Sequence, residues 1–229
     1  MTQPDYWTNH EQRILGVVSL ALTMLIADPD LPDNEDKLNR KLFFYIHRAN
    51  RSLVDSQGHL DWPLVYEARN QPDAEDDIRA GREDKRPDFI WGIYDHQELD
   101  PDKSAKYYTL ECKRLGAPPI GNTSYKLNLN YISNGVRRFI LAEWGYAKSC
   151  RSGLMIGYVQ SMKIGEILSE VNQSAKGFAL PEIRLANRSW NLKGVNRLDH
   201  QLERSAVLPT PFDLRHLWAD LTASQKLTG

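Results

Sequence analysis

The sequence predicts an α/β fold in which helices cover both faces of a mixed central sheet. Two kinds of pattern lead to this prediction. Short apolar runs rich in β-branched and aromatic residues, bounded by Pro, Gly or charges, indicate strands over residues 62–69, 86–94, 106–116 and 153–159. Apolar residues at helical spacing indicate helices between and before them. A chain of 229 residues fits one domain of generous size.

The first helix is predicted over residues 1–28, where Thr8 and Glu11 have the spacing of a capping box. Its apolar run, Ile14 to Ala27, is shorter than the roughly 18–20 residues that a membrane span needs. We therefore expect a buried helix in a cytoplasmic protein without a membrane partner. A second helix follows over residues 34–53.

The second half of the chain has weaker patterns. A helix is predicted over residues 130–146 with Gly135 inside it, where close packing or the approach of a ligand backbone would explain the glycine. Residues 163–171 form another predicted helix. Further on, 178–185 and 205–208 are predicted strands and 212–221 a short helix. We divide the chain into a core, residues 1–175, and a C-terminal extension, 176–229, packed on it within a single domain.

Charged residues lie inside two of the predicted strands. Side chains alternate along a strand, so Glu111 and Lys113 share one face while Cys112 points to the other. Asp88 stands at the mouth of the neighbouring strand. Two carboxylates that approach each other repel unless a cation lies between them, and hard oxygen ligands suit Mg²⁺. A lysine beside such a metal can orient or help to deprotonate a water molecule.

Pro87-Asp88 and Glu111-Cys112-Lys113 resemble the signature of the PD-(D/E)xK nuclease superfamily, which has the restriction-endonuclease-like fold. The resemblance covers roughly residues 35–160. It implies an αβββαβ core and Mg²⁺-dependent hydrolysis of phosphodiester bonds, with Mn²⁺ able to substitute. Asp88 and Glu111 would bind the metal, the carbonyl of Cys112 would add a ligand, and Lys113 would position the attacking water.

Each half of this signature also occurs elsewhere in the chain, but those copies lie in polar loops or at a helix start. Only Asp88 and Glu111 are both embedded in strand-like runs. The alternative is an edge strand with a Glu-Lys pair that faces solvent. Glu35, in the first turn of the second helix, is the candidate third carboxylate by resemblance, although it could simply complement the helix dipole. Glu67 is the alternative third carboxylate.

Basic residues predominate over residues 103–163, whereas residues 54–102 are mainly acidic. A basic face suits phosphates, although a dipolar surface without a partner has the same pattern. The candidate nucleic-acid contacts are Arg114, Lys126, Arg137 and Arg138. His200 and Arg204, one helical turn apart, could lie near a phosphate or form a structural pair.

Other chemistries lack their motifs. The two cysteines, Cys112 and Cys150, imply no disulfide scaffold, and the sequence contains no zinc motif, hydrolase elbow or nucleotide-binding glycine turn. By resemblance we expect a nuclease that acts on DNA, as a homodimer or with a partner subunit. Analogy alone suggests a bacterial restriction or phage-defence system. The alternative function is a non-catalytic subunit that binds nucleic acid or protein.

Overall fold

A seven-stranded mixed sheet runs through the molecule in the order β1-β2-β3-β4-β7-β6-β5. The computed structural model describes residues 6–70, 84–119, 121–186 and 194–222. The helices are α1 (Tyr6–Ile26), α2 (Glu35–Ser52), α3 (Leu127–Ser133) and α4 (Ile164–Gly177), with 3₁₀ turns at Pro101–Lys103 and Val136–Phe139. The strands are β1 (Leu64–Tyr66), β2 (Phe89–Tyr94), β3 (Ala105–Leu115), β4 (Ser152–Val159), β5 (Arg184–Leu185), β6 (Val195–Leu202) and β7 (Phe212–Asp220).

Strand directions divide the sheet into three zones. The first three strands pair antiparallel. Strands β3, β4 and β7 run parallel in the centre, and β7, β6 and β5 are again antiparallel. Every residue of β4 is buried, as expected for a strand covered on both faces. The predicted α/β class with a mixed central sheet is therefore confirmed.

Helices cover both faces of the sheet, and the alternation of side chains along the strands shows which helices lie on each face. Tyr108 on β3 contacts Trp7 of α1, and Tyr158 on β4 donates to Asn39 of α2. On the opposite face, Tyr131 of α3 contacts His216 and Trp218 of β7. Helix α4 packs against α3. Glu111 and Lys113 face the α3 side, because β3 alternates as the sequence predicts.

The helix predicted over residues 130–146 is wrong in extent. Helix α3 ends at Ser133, and a 3₁₀ turn and irregular loop follow. Gly135 lies between them, with φ −119° and ψ −84°. An added Cβ would lie 2.4 Å from the carbonyl oxygen of Tyr131 and 2.6 Å from Cε of Met155. Close packing against the sheet, one of the two predicted reasons, thus accounts for the glycine.

The C-terminal segment differs most from the sequence prediction. Residues 212–220 form strand β7 rather than a helix, and β7 lies beside the central strand β4. The predicted strand over 205–208 is a turn region, whereas residues 195–202 form strand β6. Of the residues 178–185, only Arg184 and Leu185 are in a strand. Three strands of the common sheet therefore come from residues beyond 176.

The capping box at the start of α1 is also wrong, because the helix already includes Thr8. Glu11 is buried and accepts hydrogen bonds from the Tyr108 hydroxyl and the Arg215 guanidinium. It therefore ties α1 to the sheet. No helix in the described part of the chain has the length and apolar character to cross a membrane.

Candidate active site

The candidate site lies where β2 and β3 separate. Their antiparallel register pairs Phe89 with Leu110, which places Asp88 opposite Glu111, one step beyond the last pair. Residues directly opposite each other share a face. The two carboxylates predicted to act together are close enough for Glu111 to raise the pKa of Asp88.

Asp88 is fixed by the backbone of β3. Its Oδ2 accepts a hydrogen bond of 2.6 Å from the amide N–H of Cys112. Burial and the neighbouring Glu111 carboxylate raise the pKa of Asp88 well above its ordinary value. The side chain therefore takes up a proton more readily than an exposed aspartate unless a cation offsets the second carboxylate.

Lys113 lies at the centre of the cluster. Its Nζ is 2.8 Å from Oε1 of Glu35 and 2.8 Å from Oε1 of Glu111, and it donates to the carbonyl oxygen of Cys112 at 2.7 Å. Burial alone would lower the pKa of Lys113, but the carboxylates of Glu111, Asp88 and Glu35 outweigh it, so the pKa lies above its usual value. The ammonium stays charged and acts as a hydrogen-bond donor.

Glu35 joins the cluster from the first turn of α2. Asn34 caps this helix through a hydrogen bond to the N–H of Lys37, and the cap sets where the first turn begins. Besides Lys113, Glu35 accepts a 3.2 Å hydrogen bond from the N–H of Arg114. Glu67, the alternative third carboxylate, is exposed at the end of β1.

Arg138 approaches Glu111 from the 3₁₀ turn after α3. Its Nη1 lies 2.5 Å from Oε1 of Glu111, whose side chain is fully buried. That oxygen therefore receives two cations, Lys113 and Arg138, while Oε2 of Glu111 has no hydrogen-bond partner among the described residues. Arg138, predicted as a phosphate contact, thus also belongs to the carboxylate cluster.

The other predicted phosphate contacts are dispersed. Arg137 lies over the ring of Phe178, 4.6 Å from its centroid. Arg114 donates to the carbonyl of Asp33 on the α2 side of the sheet. Lys126 is exposed just before α3.

His200 and Arg204 do not lie on one helix, and both side chains have structural hydrogen-bond partners. His200 lies in β6, and its Nε2 is 2.9 Å from the carbonyl oxygen of Pro181. Arg204 is fully buried and donates to several backbone carbonyls, including those of Phe139, Tyr146 and Cys150. Both side chains therefore hold loops together.

Three residues near the cluster were not predicted. The guanidinium of Arg138 lies 4.1 Å and the ammonium of Lys85 lies 4.5 Å from the ring centroid of Trp144. Tyr146 is fully buried, and burial together with the nearby Glu111 carboxylate raises its pKa. Its hydroxyl has no partner among the described residues. The only sequence signal for these three residues is that aromatic and basic residues occur close together in segments without a helix or strand pattern.

The donor set at this site suits a hard cation. Asp88 and Glu111 supply carboxylate oxygens, and Oε2 of Glu111 is buried without a partner in the part of the chain described here. Lys113 already occupies the Cys112 carbonyl predicted as a ligand. Within the described ranges no group of three or more His, Cys, Asp and Glu side chains is arranged to hold a metal ion.

Comparisons with protein-family models, with curated proteins and with solved structures find no match to this chain. The site is therefore interpreted from its own residues.

Proposed function

We propose that the chain is a Mg²⁺-dependent nuclease with a restriction-endonuclease-like core, and that DNA is its substrate. The observation that supports this best is the convergence of Glu35, Asp88, Glu111 and Lys113 at one point of the sheet. These residues come from α2, from the position just before β2 and from the second half of β3. The succession α2-β1-β2-β3-α3-β4 agrees with an αβββαβ core.

Asp88 and Glu111 would hold the cation, with Glu35 near them. When bound, Mg²⁺ supplies polarisation of the scissile phosphate and stabilises the charge that develops on it. The Lys113 ammonium directs its three N–H groups at Glu35, Glu111 and the Cys112 carbonyl, so it would donate to the attacking water or to a phosphate oxygen once one of these acceptors turns away. Without a bound cation the neighbouring carboxylates raise the pKa of Lys113, which favours the ammonium form, a hydrogen-bond donor.

Cleavage of plasmid, linear and single-stranded DNA and of RNA, in Mg²⁺ and in chelator, tests this proposal. We expect Mg²⁺-dependent cleavage of DNA, reduced about 100-fold or more in Asp88→Asn and Lys113→Met. The matched controls, Glu143→Gln and Lys176→Met, change exposed side chains and should cleave like the wild type. Circular dichroism and melting temperature verify that each variant is folded. Equal cleavage by Asp88→Asn and Glu143→Gln would show that another site or a contaminant is responsible.

One observation favours a second function, a non-catalytic subunit that binds nucleic acid or protein. Oε1 of Glu111 is bonded to both Lys113 and Arg138, so the carboxylate is already neutralised inside the protein. The cluster would then be a structural ion-pair network. Binding of DNA without cleavage in either Mg²⁺ or Mn²⁺ would favour this function.

A role in phage defence and self-association belong to the same proposal and rest on the family resemblance. Sedimentation with and without DNA shows whether two copies assemble.

A further inference from the structure

Two cations share one aromatic ring beside the carboxylate cluster. The guanidinium of Arg138 lies 4.1 Å and the ammonium of Lys85 lies 4.5 Å from the ring centroid of Trp144. A ring attracts each cation through its quadrupole. Lys85, Arg138 and Trp144 are all partly exposed, so a solute can reach them.

Arg138 uses only part of its hydrogen-bonding capacity. Its Nη1 donates to Oε1 of Glu111, whereas its Nε is buried and has no acceptor among the residues the structure describes. A guanidinium carries five N–H donors in a planar fork that matches the oxygens of a phosphate. An oxyanion bound here would accept from Arg138 and be attracted by the Lys85 ammonium.

The backbone around this ring is fastened on two sides. Asn70 donates its side-chain amide to the carbonyl of Trp144 at 2.7 Å, and its N–H bonds to the carbonyl of Lys85 at 3.0 Å. The segments that carry Lys85 and Trp144 are thus tied to the same residue. The two cations are positioned before any ligand binds, which reduces the entropic cost of binding.

We propose that Lys85 and Arg138, held on the ring of Trp144, form a phosphate-binding subsite for a nucleic-acid strand next to Glu111. Its role beside a scissile bond rests on the proposed function. Its affinity for phosphate does not, because Lys85 and Arg138 can bind an oxyanion without a divalent metal and without cleavage.

The test is titration of the full chain with a 5′-phosphorylated DNA tetramer in chelator at low salt, followed by calorimetry and tryptophan fluorescence. Lys85→Met and Arg138→Gln should each weaken binding about tenfold, since each removes a charge-assisted contact. Each should also lower the salt slope by about 1. The control Lys176→Met, which removes an exposed lysine of α4, should bind like the wild type.

Trp144→Phe gives a readout that overall charge cannot change. The chain has 6 tryptophans, and the fluorescence change on binding should be lost in this variant while the affinity persists. Arg138→Lys keeps the charge without the planar fork and should bind between wild type and Arg138→Gln. Lys85→Met keeps Arg138 and its bond to Glu111, so it tests the subsite even if Arg138→Gln is poorly folded.

The outcomes separate this inference from the nuclease proposal. Metal-free binding that depends on Lys85, in a protein that never cleaves, supports the subsite and overturns the nuclease. Mg²⁺-dependent cleavage by a protein in which Lys85→Met binds like Lys176→Met overturns the subsite alone. Absence of any tetramer binding by the folded wild type at low salt overturns the subsite as well.

Discussion

Tyr131 and Tyr146 are both fully buried phenols, but their hydroxyls have different surroundings. The hydroxyl of Tyr131 is 2.7 Å from Nδ1 of His216 and accepts from Nε1 of Trp218 at 3.0 Å. The hydroxyl of Tyr146 has no partner in the described part of the chain. A buried polar group without a partner is costly, whereas removing one member of a bonded pair leaves the other unsatisfied.

The same substitution at the two tyrosines should therefore have different effects. We expect Tyr131→Phe to lower the free energy of unfolding by about 2–3 kcal/mol, because His216 and Trp218 each lose a partner. Tyr146→Phe should leave stability within about 0.5 kcal/mol of wild type or raise it. Urea unfolding of both variants at pH 7 measures the difference. Equal losses would mean that the Tyr146 hydroxyl is bonded in solution.

The site could be predicted from sequence only where regular structure sets the geometry. Glu111 and Lys113 share a face because the side-chain period of a strand is fixed, and Asp88 faces Glu111 through the register of neighbouring strands. Arg138 was predicted as a phosphate contact, but not as a partner of Glu111. Its bond depends on the path of an irregular loop, and no local periodicity encodes that path.

At the level of elements, two glycines in different environments provide a matched pair. Gly135, after α3, lies against Tyr131 and Met155, and an added Cβ would come within 2.4 Å of a backbone oxygen. Gly165, near the start of α4, has no atom within 4 Å of such a Cβ. Gly135→Ala is therefore expected to destabilise by about 1–3 kcal/mol through overpacking. Gly165→Ala should stabilise by about 0.5–1 kcal/mol through helix propensity.

Chemical denaturation of the two alanine variants gives the sign of each change. If Gly135→Ala were as stable as Gly165→Ala, the loop after α3 would be able to move away from the sheet. That outcome would also weaken the case for Arg138 as a fixed neighbour of Glu111, because both residues depend on the same segment.

Across the whole molecule, the strands far along the chain were the hardest to predict. In β7, Phe212, Leu214 and Trp218 lie on the α3 side, while Arg215 points towards α1 and pairs with Glu11. A partly buried charge, Arg215, paired with a residue near the other end of the sequence, breaks the apolar pattern of a central strand. The existence of the helices and strands up to β4, though not every boundary, followed from local pattern, even in β3, where Glu111 and Lys113 interrupt the apolar run.

Buried histidines give the whole molecule an acid limit to its stability. Burial, and to a smaller extent Arg13, lowers the pKa of His10 to about 4. Burial also lowers the pKa of His200 to about 4, and it lowers the pKa of His216 well below its ordinary value with contributions from His200 and Arg215. The unfolded chain, with histidine pKa values near 6.5, binds more protons than the folded protein between these limits. The contribution of these histidines to the free energy of unfolding is therefore fully present above pH ~6.5 and is lost as the pH falls towards 4.

A pH series of urea unfolding with one variant tests this contribution. Each buried histidine adds up to about 1.4 kcal/mol per pH unit to the slope. His200→Gln removes one of them and should flatten the slope below pH ~6.5 by about that amount, whereas His47→Gln, at an exposed position, should not. The raised pKa of Asp88 contributes a pH dependence of the opposite sign to the free energy of unfolding. This contribution is the same in each variant, so it cancels when variants are compared at the same pH. Identical slopes in wild type and His200→Gln would show that this imidazole is accessible to protons in the folded protein, and the packing between β6 and β7 would then be looser than its burial implies.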